Sequence, residues 1–433
     1  PVFTSPNSPT SAITGLVTGT YTIVWRISTG CTVSSDTMLI NNSPLPVSSN
    51  AGANQNLCNV GSTSLAGNSP GAGTGLWTLV SGPNTPTITA PTNQNSTVTG
   101  MIAGVYVFRW SISRGVCAPS SSTVQVTISA LPSSSNAGAD QSMCNVTTAT
   151  LSGNNPVSGS GNWTLVSGPN TPTISAPGLA NTGVTGMLVG VYVFRWTITS
   201  GTCTASTDDV QITIYALSTI SNAGPDQNLC NVTSTTLAGN SAAPGTGAWT
   251  LVSGPNTPTV TSPTSPTSTV TGMIIGVYTF RWAITNGVCA PSNDNVQITI
   301  YALPTTSNAG PDQNLCNVTT TVLAGNNPAI GTGTWIRVSG PNTPTITSPN
   351  SPTSSLTGMI PGVYIYRWSV ANGVCAASTD DVQITIFSLP TASNAGIDQS
   401  LCNATSATLS GNNPASGTGT WTLVSGPNVP GIS

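Results

Sequence analysis

The sequence predicts an all-β fold, a tandem array of seven-stranded β-sandwiches. Three observations carry this. Cys58, Cys144, Cys230, Cys316 and Cys402 stand 86 residues apart, and Cys31, Cys117, Cys203, Cys289 and Cys375 keep the same step. Tryptophan agrees, with one series at Trp77, Trp163, Trp249, Trp335 and Trp421 and another at Trp110, Trp196, Trp282 and Trp368. Gly, Pro and β-branched residues break every window that could form a helix. What remains is short apolar–polar alternation between turn clusters, at the spacing of a sandwich.

These markers admit no insertion or deletion, so full repeats are expected at 50–135, 136–221, 222–307 and 308–393. Residues 1–49 read as the C-terminal part of a further repeat and 394–433 as the N-terminal part of another. Both ends fall in mid-repeat and no leader is visible. The chain is therefore expected to be a window from a longer protein whose leader lies upstream.

The elements follow in order along 50–135. Gln55-Asn56-Leu57-Cys58 is a short first strand and Ser62-Thr63-Ser64-Leu65-Ala66 a second. Leu76-Trp77-Thr78-Leu79-Val80 is a third, stopped by Ser81-Gly82-Pro83-Asn84. Thr87-Ile88-Thr89 and Ser96-Thr97-Val98-Thr99 are weaker strands, whereas 105–113 and 123–129 are long and clear. The Gly-rich stretch 71–75 lacks the Lys-Ser/Thr of a phosphate loop and reads as a plain loop. Period-2 alternation puts Tyr106, Phe108, Trp110 and Ile112 on one face of the sixth strand, Trp77 and Leu79 on the matching face of the third, and Val124, Val126 and Ile128 on one face of the last. The core is thus assigned to Trp77, Trp110, Trp163, Trp196, Trp249, Trp282, Trp335 and Trp368 with these neighbours. Antiparallel pairing across the last hairpin sets Arg195 opposite Asp209 and Arg367 opposite Asp381, with Asp294 near Arg281. Such outward ion pairs contribute little.

Composition closes most catalytic routes. All seven basic residues are Arg, all ten acidic ones are Asp, and the chain has no His, Lys or Glu. Charged residues make up 4%, against about 25% in an ordinary soluble domain. That leaves no imidazole base, no Schiff-base lysine and no paired glutamates. The equivalence of the repeats points the same way, because an enzyme needs one unit to differ at a site. No catalytic, cofactor-binding or metal-binding residue is assigned. A net charge of −3 offers no footprint for nucleic acid, and no apolar run approaches the roughly 20 residues of a membrane span. Ten cysteines at fixed positions indicate an oxidising compartment.

Several stretches carry a family likeness. Asn-Ala-Gly-Pro-Asp-Gln (222–227), Trp-Thr-Leu-Val-Ser-Gly-Pro (249–255), Thr-Gly-Met (271–273), Gly-Val-Tyr-Thr-Phe-Arg-Trp (276–282) and Val-Gln-Ile-Thr-Ile (296–300) resemble a PKD-type immunoglobulin-like domain. The cysteines in Leu-Cys-Asn (229–231) and Gly-Val-Cys (287–289) resemble those of modules in very large surface adhesins of Bacteroidota, including gliding-motility adhesins and other cargo of the type IX secretion system. The resemblance implies an extracellular stalk at the cell surface that holds an adhesive or enzymatic part away from the cell. Its partners would be further repeats of the same protein, other chains in a bundle or filament, or surface polysaccharide. Repeats of roughly 40 Å each, joined by short links stiffened by Pro132, Pro304 and Pro390, would make a rigid rod. The alternative is a carbohydrate-binding or accessory array of a secreted hydrolase, which a row of exposed aromatics would favour.

Three minor motifs remain. Asp140, Asp226, Asp312 and Asp398 supply one carboxylate per junction, with Asn54 in the first full repeat. Ca²⁺ wants six to eight oxygens, so a turn-capping role is expected. Asn145, Asn231, Asn317 and Asn403 each open an Asn-Xaa-Thr sequon, read in a bacterium as a by-product of Asn/Thr richness. Asp36-Thr37-Met38 resembles a Bacteroidota O-glycosylation site but occurs once.

The cysteines admit three periodic pairings. Cys58–Cys117, Cys144–Cys203, Cys230–Cys289 and Cys316–Cys375 would lie within repeats; Cys58–Cys203 would link neighbours; Cys117–Cys144 would bridge a junction. In an ordinary sandwich the end of the first strand and the last hairpin turn lie at opposite ends, beyond the roughly 6 Å of a disulfide. The within-repeat bond is nevertheless the expectation, on the argument that a short first strand crosses over near the turn and that a unit holding both cysteines completes its own fold. Cys31 and Cys402 would then have partners outside the sequence.

Overall fold

The computed structural model describes residues 1–427 and 431; the last residues of the expected partial repeat 394–433 lie outside these. The chain is all-β and forms two compact units, Pro1–Ala216 with Gly287–Cys289, and Leu217–Asn286 with Ala290–Ser433. The sandwich at 136–221, in the first unit, serves as reference. Its strands are β1 Gln141–Cys144, β2 Thr148–Ser152, β3 Ser160–Ser167, β4 Thr173–Ile174, β5 Asn181–Thr185, β6 Gly190–Thr199 and β7 Ser206–Tyr215. One sheet has the order β1-β7-β6-β3 and the other β2-β5-β4. The same seven strands in the same two sheets recur in the other three full repeats.

Alternation along β6 explains the core. Tyr192, Phe194, Trp196 and Ile198 are buried, and so are Val210, Ile212 and Ile214 of β7. Trp163 of β3 pairs with Trp196 in register, and their rings lie 5.0 Å apart at 38°, a tilted contact that suits two aromatic quadrupoles. Each indole N–H is satisfied, Trp163 by Ala180 O at 3.1 Å and Trp196 by Asn154 O at 3.2 Å. The pair recurs as Trp77–Trp110, Trp249–Trp282 and Trp335–Trp368, at 4.9–5.0 Å. All eight side chains are at most 3% exposed.

Gly161 is what lets the pair form. A Cβ on it would lie 2.0 Å from Cζ2 of Trp196, and the corresponding Gly75, Gly247 and Gly333 meet their indoles at 2.0–2.1 Å. The stretch expected to be loop is therefore partly strand: in the first full repeat the third strand opens at Thr74, and Gly75 is a buried strand residue beneath Trp110.

The first full repeat differs at its last hairpin. There the strand before the turn runs to Arg114 and the strand after it starts at Cys117, so the turn is tight; in the reference repeat 200–205 lie between β6 and β7. In the part-repeat at the N-terminus, Gly19–Ser28 and Val33–Asn42 form a two-stranded hairpin. With no counterpart of β3 beside it, Trp25 is 41% exposed.

Candidate functional site at the disulfide junctions

Strand direction decides the cysteine pairing. β1 runs parallel to β7, so Cys144 at the end of β1 lies opposite Tyr215, the last residue of β7. Cys203 precedes the first residue of β7, Ser206. Ten strand residues put roughly 30 Å between those ends, against the roughly 6 Å a disulfide tolerates. Cys58 sits likewise opposite Ser129, Cys230 opposite Tyr301 and Cys316 opposite Phe387. Shortness of the first strand does not rescue the within-repeat bond, because all four of its residues pair in register and none crosses over.

The expected pairing is thus corrected. The bonds are Cys58–Cys203, Cys144–Cys289 and Cys230–Cys375, with Cα–Cα separations of 4.9, 5.0 and 5.0 Å. Each joins the first strand of one repeat to the last hairpin turn of the next. Cys117 and Cys316, expected in disulfides, are free among the described residues, as are Cys31 and Cys402.

The seat for the incoming turn is built from the end of the last strand. In the first unit Gly201, at φ +52°, lies so close to Ser129 that a Cβ would stand 1.8 Å from its Oγ. The Cys203 sulfur lies 3.4 Å from Ala130 O. In the second unit Gly373, at φ +53°, lies over the Tyr301 ring, and Asn372 donates from Nδ2 to Ala302 O at 2.8 Å. Only glycine meets both demands, a left-handed backbone and no side chain beneath it. The other half of the junction is the residue after each first-strand cysteine. Asn59, Asn145, Asn231, Asn317 and Asn403 all have φ between 49° and 55°. Asn59 N–H donates to Ser129 O and Asn231 N–H to Tyr301 O, both at 2.8 Å. Asparagine tolerates this left-handed turn better than other side chains. That accounts for the sequon asparagines, and for Asn59 in a repeat whose Gly61 breaks the sequon.

The aspartates divide by strand face. Asp140 Oδ1 accepts the Gln211 N–H at 2.8 Å, and Asp226 and Asp312 accept from Gln297 and Gln383 at 2.7 and 2.8 Å. Asn54 does the same for Gln125 at 2.9 Å. These residues tie the approach to the first strand onto the last strand, rather than capping a local turn. Among the described residues no cluster of three or more His, Cys, Asp or Glu is placed to hold a metal ion. Arg195–Asp209 and Arg367–Asp381 form ion pairs at 2.7 Å, as the register predicts. The hydrogen bond from Arg195 holds the Asp209 carboxyl below its usual range, against a smaller opposing effect of burial. Arg281 bonds Asn295 at 3.1 Å instead of Asp294. Asp294 lies one residue away on the opposite face and accepts the Ala223 N–H at 2.8 Å, as Asp208 does for Ala137 at 2.7 Å. The pleat, not proximity in sequence, sorts these roles.

One repeat departs from the rest. Where three repeats place Leu79, Leu165 or Leu251 opposite Phe108, Phe194 or Phe280, the fourth places Arg337 opposite Tyr366. Tyr366 is 0% exposed and its hydroxyl has no partner. Burial pushes its pKa up to about 12. Arg337 donates from Nη2 to Gly340 O at 2.7 Å.

What this arrangement can do chemically is crosslink. The repeated geometry of the junctions holds sulfur against sulfur, and the tryptophans of the four full repeats, which would have to face outward to stack on a sugar, are all inside.

Comparison with known proteins agrees with the fold. Residues 137–214, 223–300 and 309–386 each match one PKD-domain family model. No curated protein matches the chain. Among solved structures, the chain is similar to the N-terminal eight Ig domains of Down syndrome cell adhesion molecule, at 10% identity and a TM-score of 0.38 over 84% of this chain; it spans about half (52%) of that structure. It is similar to Sidekick-1 immunoglobulin domains 1–4 at 12% identity and a TM-score of 0.30, covering 79% of this chain and 98% of that one. It is similar to the PKD domain of the KIAA 1837 protein at 26% identity and a TM-score of 0.18, covering 22% and 92%. The family match takes in more than half of the residues, three successive repeats in identical register, and on that ground this chain belongs to the PKD-domain family.

Proposed function

We propose that the chain is a structural segment of a large extracellular protein, a non-catalytic spacer that displays or anchors another part at a distance from the cell. The observation that carries this reading is the repeated crosslink: three disulfides, each joining a first strand to the next repeat's hairpin, at Cα–Cα separations of 4.9–5.0 Å. Such bonds persist in oxidising surroundings. A protein whose repeats are sewn to their neighbours keeps reach and orientation, which is what a stalk supplies. The low charge of 4% leaves little repulsion between chains and supports lateral association into a bundle or filament. The Bacteroidota adhesin likeness, with surface polysaccharide or further repeats as partners, is part of the same proposal.

The test is protease shaving of intact source cells, followed by detection of peptides from 50–393, with thiol labelling before and after reduction. Release of these peptides from unbroken cells, with Cys58, Cys144, Cys203, Cys230, Cys289 and Cys375 labelled only after reduction, is the expected result. Protection from protease together with thiols that label without reduction would overturn it.

A further inference from the structure

The three disulfides overlap along the chain. Each closes a span of 145 residues, yet Cys144 precedes Cys203 and Cys230 precedes Cys289. A chain under tension is limited by its shortest covalent route. Between Cys58 and Cys375 the backbone runs 317 residues (58 to 375). The route through the sulfurs is far shorter. It crosses Cys58–Cys203, follows the 27 residues from 203 to 230, and crosses Cys230–Cys375. At about 3.4 Å per extended residue the two routes differ by an order of magnitude, about 1,100 Å against about 90 Å.

We infer that the array is a load-bearing tether of capped extension, in which tension is carried by the staggered disulfides and bypasses most of the folded repeats. The short stretch left on the route is itself held. It contains β7, which lies between β1 and β6 in its sheet. Load applied between Cys203 and Cys230 runs along β7, at right angles to its antiparallel ladder with β6, so those hydrogen bonds resist together in shear. Cys144–Cys289 lies off the shortest route and acts as a second rail. If Cys58–Cys203 is missing, the shortest route runs 86 residues from 58 to 144, across to Cys289 and 59 residues back to Cys230, which is 145 residues in all. If Cys144–Cys289 is missing, the route is unchanged at 27.

This inference deepens the spacer reading and takes its biological sense from it, but the test is independent of location. The full chain is pulled by its two ends in optical tweezers, and the contour length at full extension is read. Reduction of the wild type should release about 290 residues, about 1,000 Å. Paired Cys58→Ser and Cys203→Ser substitutions should release about 118 residues, about 400 Å, and paired Cys144→Ser and Cys289→Ser none. Equal release from the two double variants would overturn the inference, as would an oxidised wild type that extends as far as the reduced one. Should a double variant fail to fold, the oxidised and reduced wild type decide the matter by themselves. An intracellular location would remove the spacer reading and leave the cap measurable; an uncapped chain found on the surface would do the reverse.

Discussion

Gly161→Ala should destabilise its repeat, although strand propensity argues the opposite. Alanine in place of a strand glycine gains about 0.5–1 kcal/mol from lost backbone freedom in the unfolded chain. Gly161 does not have a positive φ, so the backbone raises no objection. The objection is steric: the new methyl would stand 2.0 Å from Cζ2 and 2.3 Å from Cη2 of Trp196, a fully buried ring. Overpacking of this kind costs about 1–3 kcal/mol. Moving the indole also lengthens its hydrogen bond to Asn154 O, now 3.2 Å, for about 1 kcal/mol more. The net is a loss of about 2 kcal/mol, which for a domain of this size lowers the midpoint by about 8–16 °C. Calorimetry of the full chain should then show one transition separated below the others. Gly183→Ala is the control, because its methyl meets only Ser175 Oγ at an ordinary 3.5 Å, and it should leave the trace unchanged or raise it slightly. If Gly161→Ala melts at or above the wild type, the indole does not occupy the space above that glycine and the account of the core is wrong.

Three further outcomes are expected. Tyr366→Phe should stabilise its repeat by about 1 kcal/mol in urea titrations, since it removes a buried hydroxyl without a partner. The wild type should also lose stability above about pH 10, where the unfolded phenol ionises but the folded one, raised to about 12, does not; a wild type and variant with parallel pH curves would contradict this. Asn145→Ala should cost about 1 kcal/mol and Asn145→Gly little, because the residue holds φ 49°; equal denaturation midpoints for the two would count against the turn role. The depressed Asp209 carboxyl contributes stability that is present above the usual carboxylate range, near pH 3.9, and is lost as pH falls through its folded value. Asp209→Asn should therefore lower the midpoint slightly at pH 7 and not at all at pH 2, the effect being small because the side chain is 40% exposed.

Period-2 alternation makes the sheets legible. Tyr192, Phe194, Trp196 and Ile198 can be assigned inward and Arg195 set opposite Asp209 because both follow from the pleat and one hairpin. Three features escape for a common reason: each depends on two stretches far apart in sequence. Gly161 matters only once Trp196 lies over it. Asp140 bonds a residue 71 positions away. Local economy favours pairing Cys58 with Cys117, whereas the parallel pairing of the first strand with the last puts them at opposite ends. The glycine two residues before each tryptophan of the first series, at 75, 161, 247, 333 and 419, is the available signal for the first of these.

The stagger of the cysteines also fixes an order of events. Reading along the chain, Cys58 is followed by Cys117 and Cys144 before its partner Cys203. Sulfurs that oxidised in order of synthesis would close Cys58 onto Cys117 and trap the first strand against the wrong end of its own sandwich. The observed bonds arise only when the sheets are in place and the neighbouring hairpin has docked its glycine over the strand end. Oxidation is then the final step of maturation, each repeat keeps its thiols reduced until its successor has folded, and the rate at which Cys58 becomes protected reports the folding of residues 136–221 rather than of its own repeat.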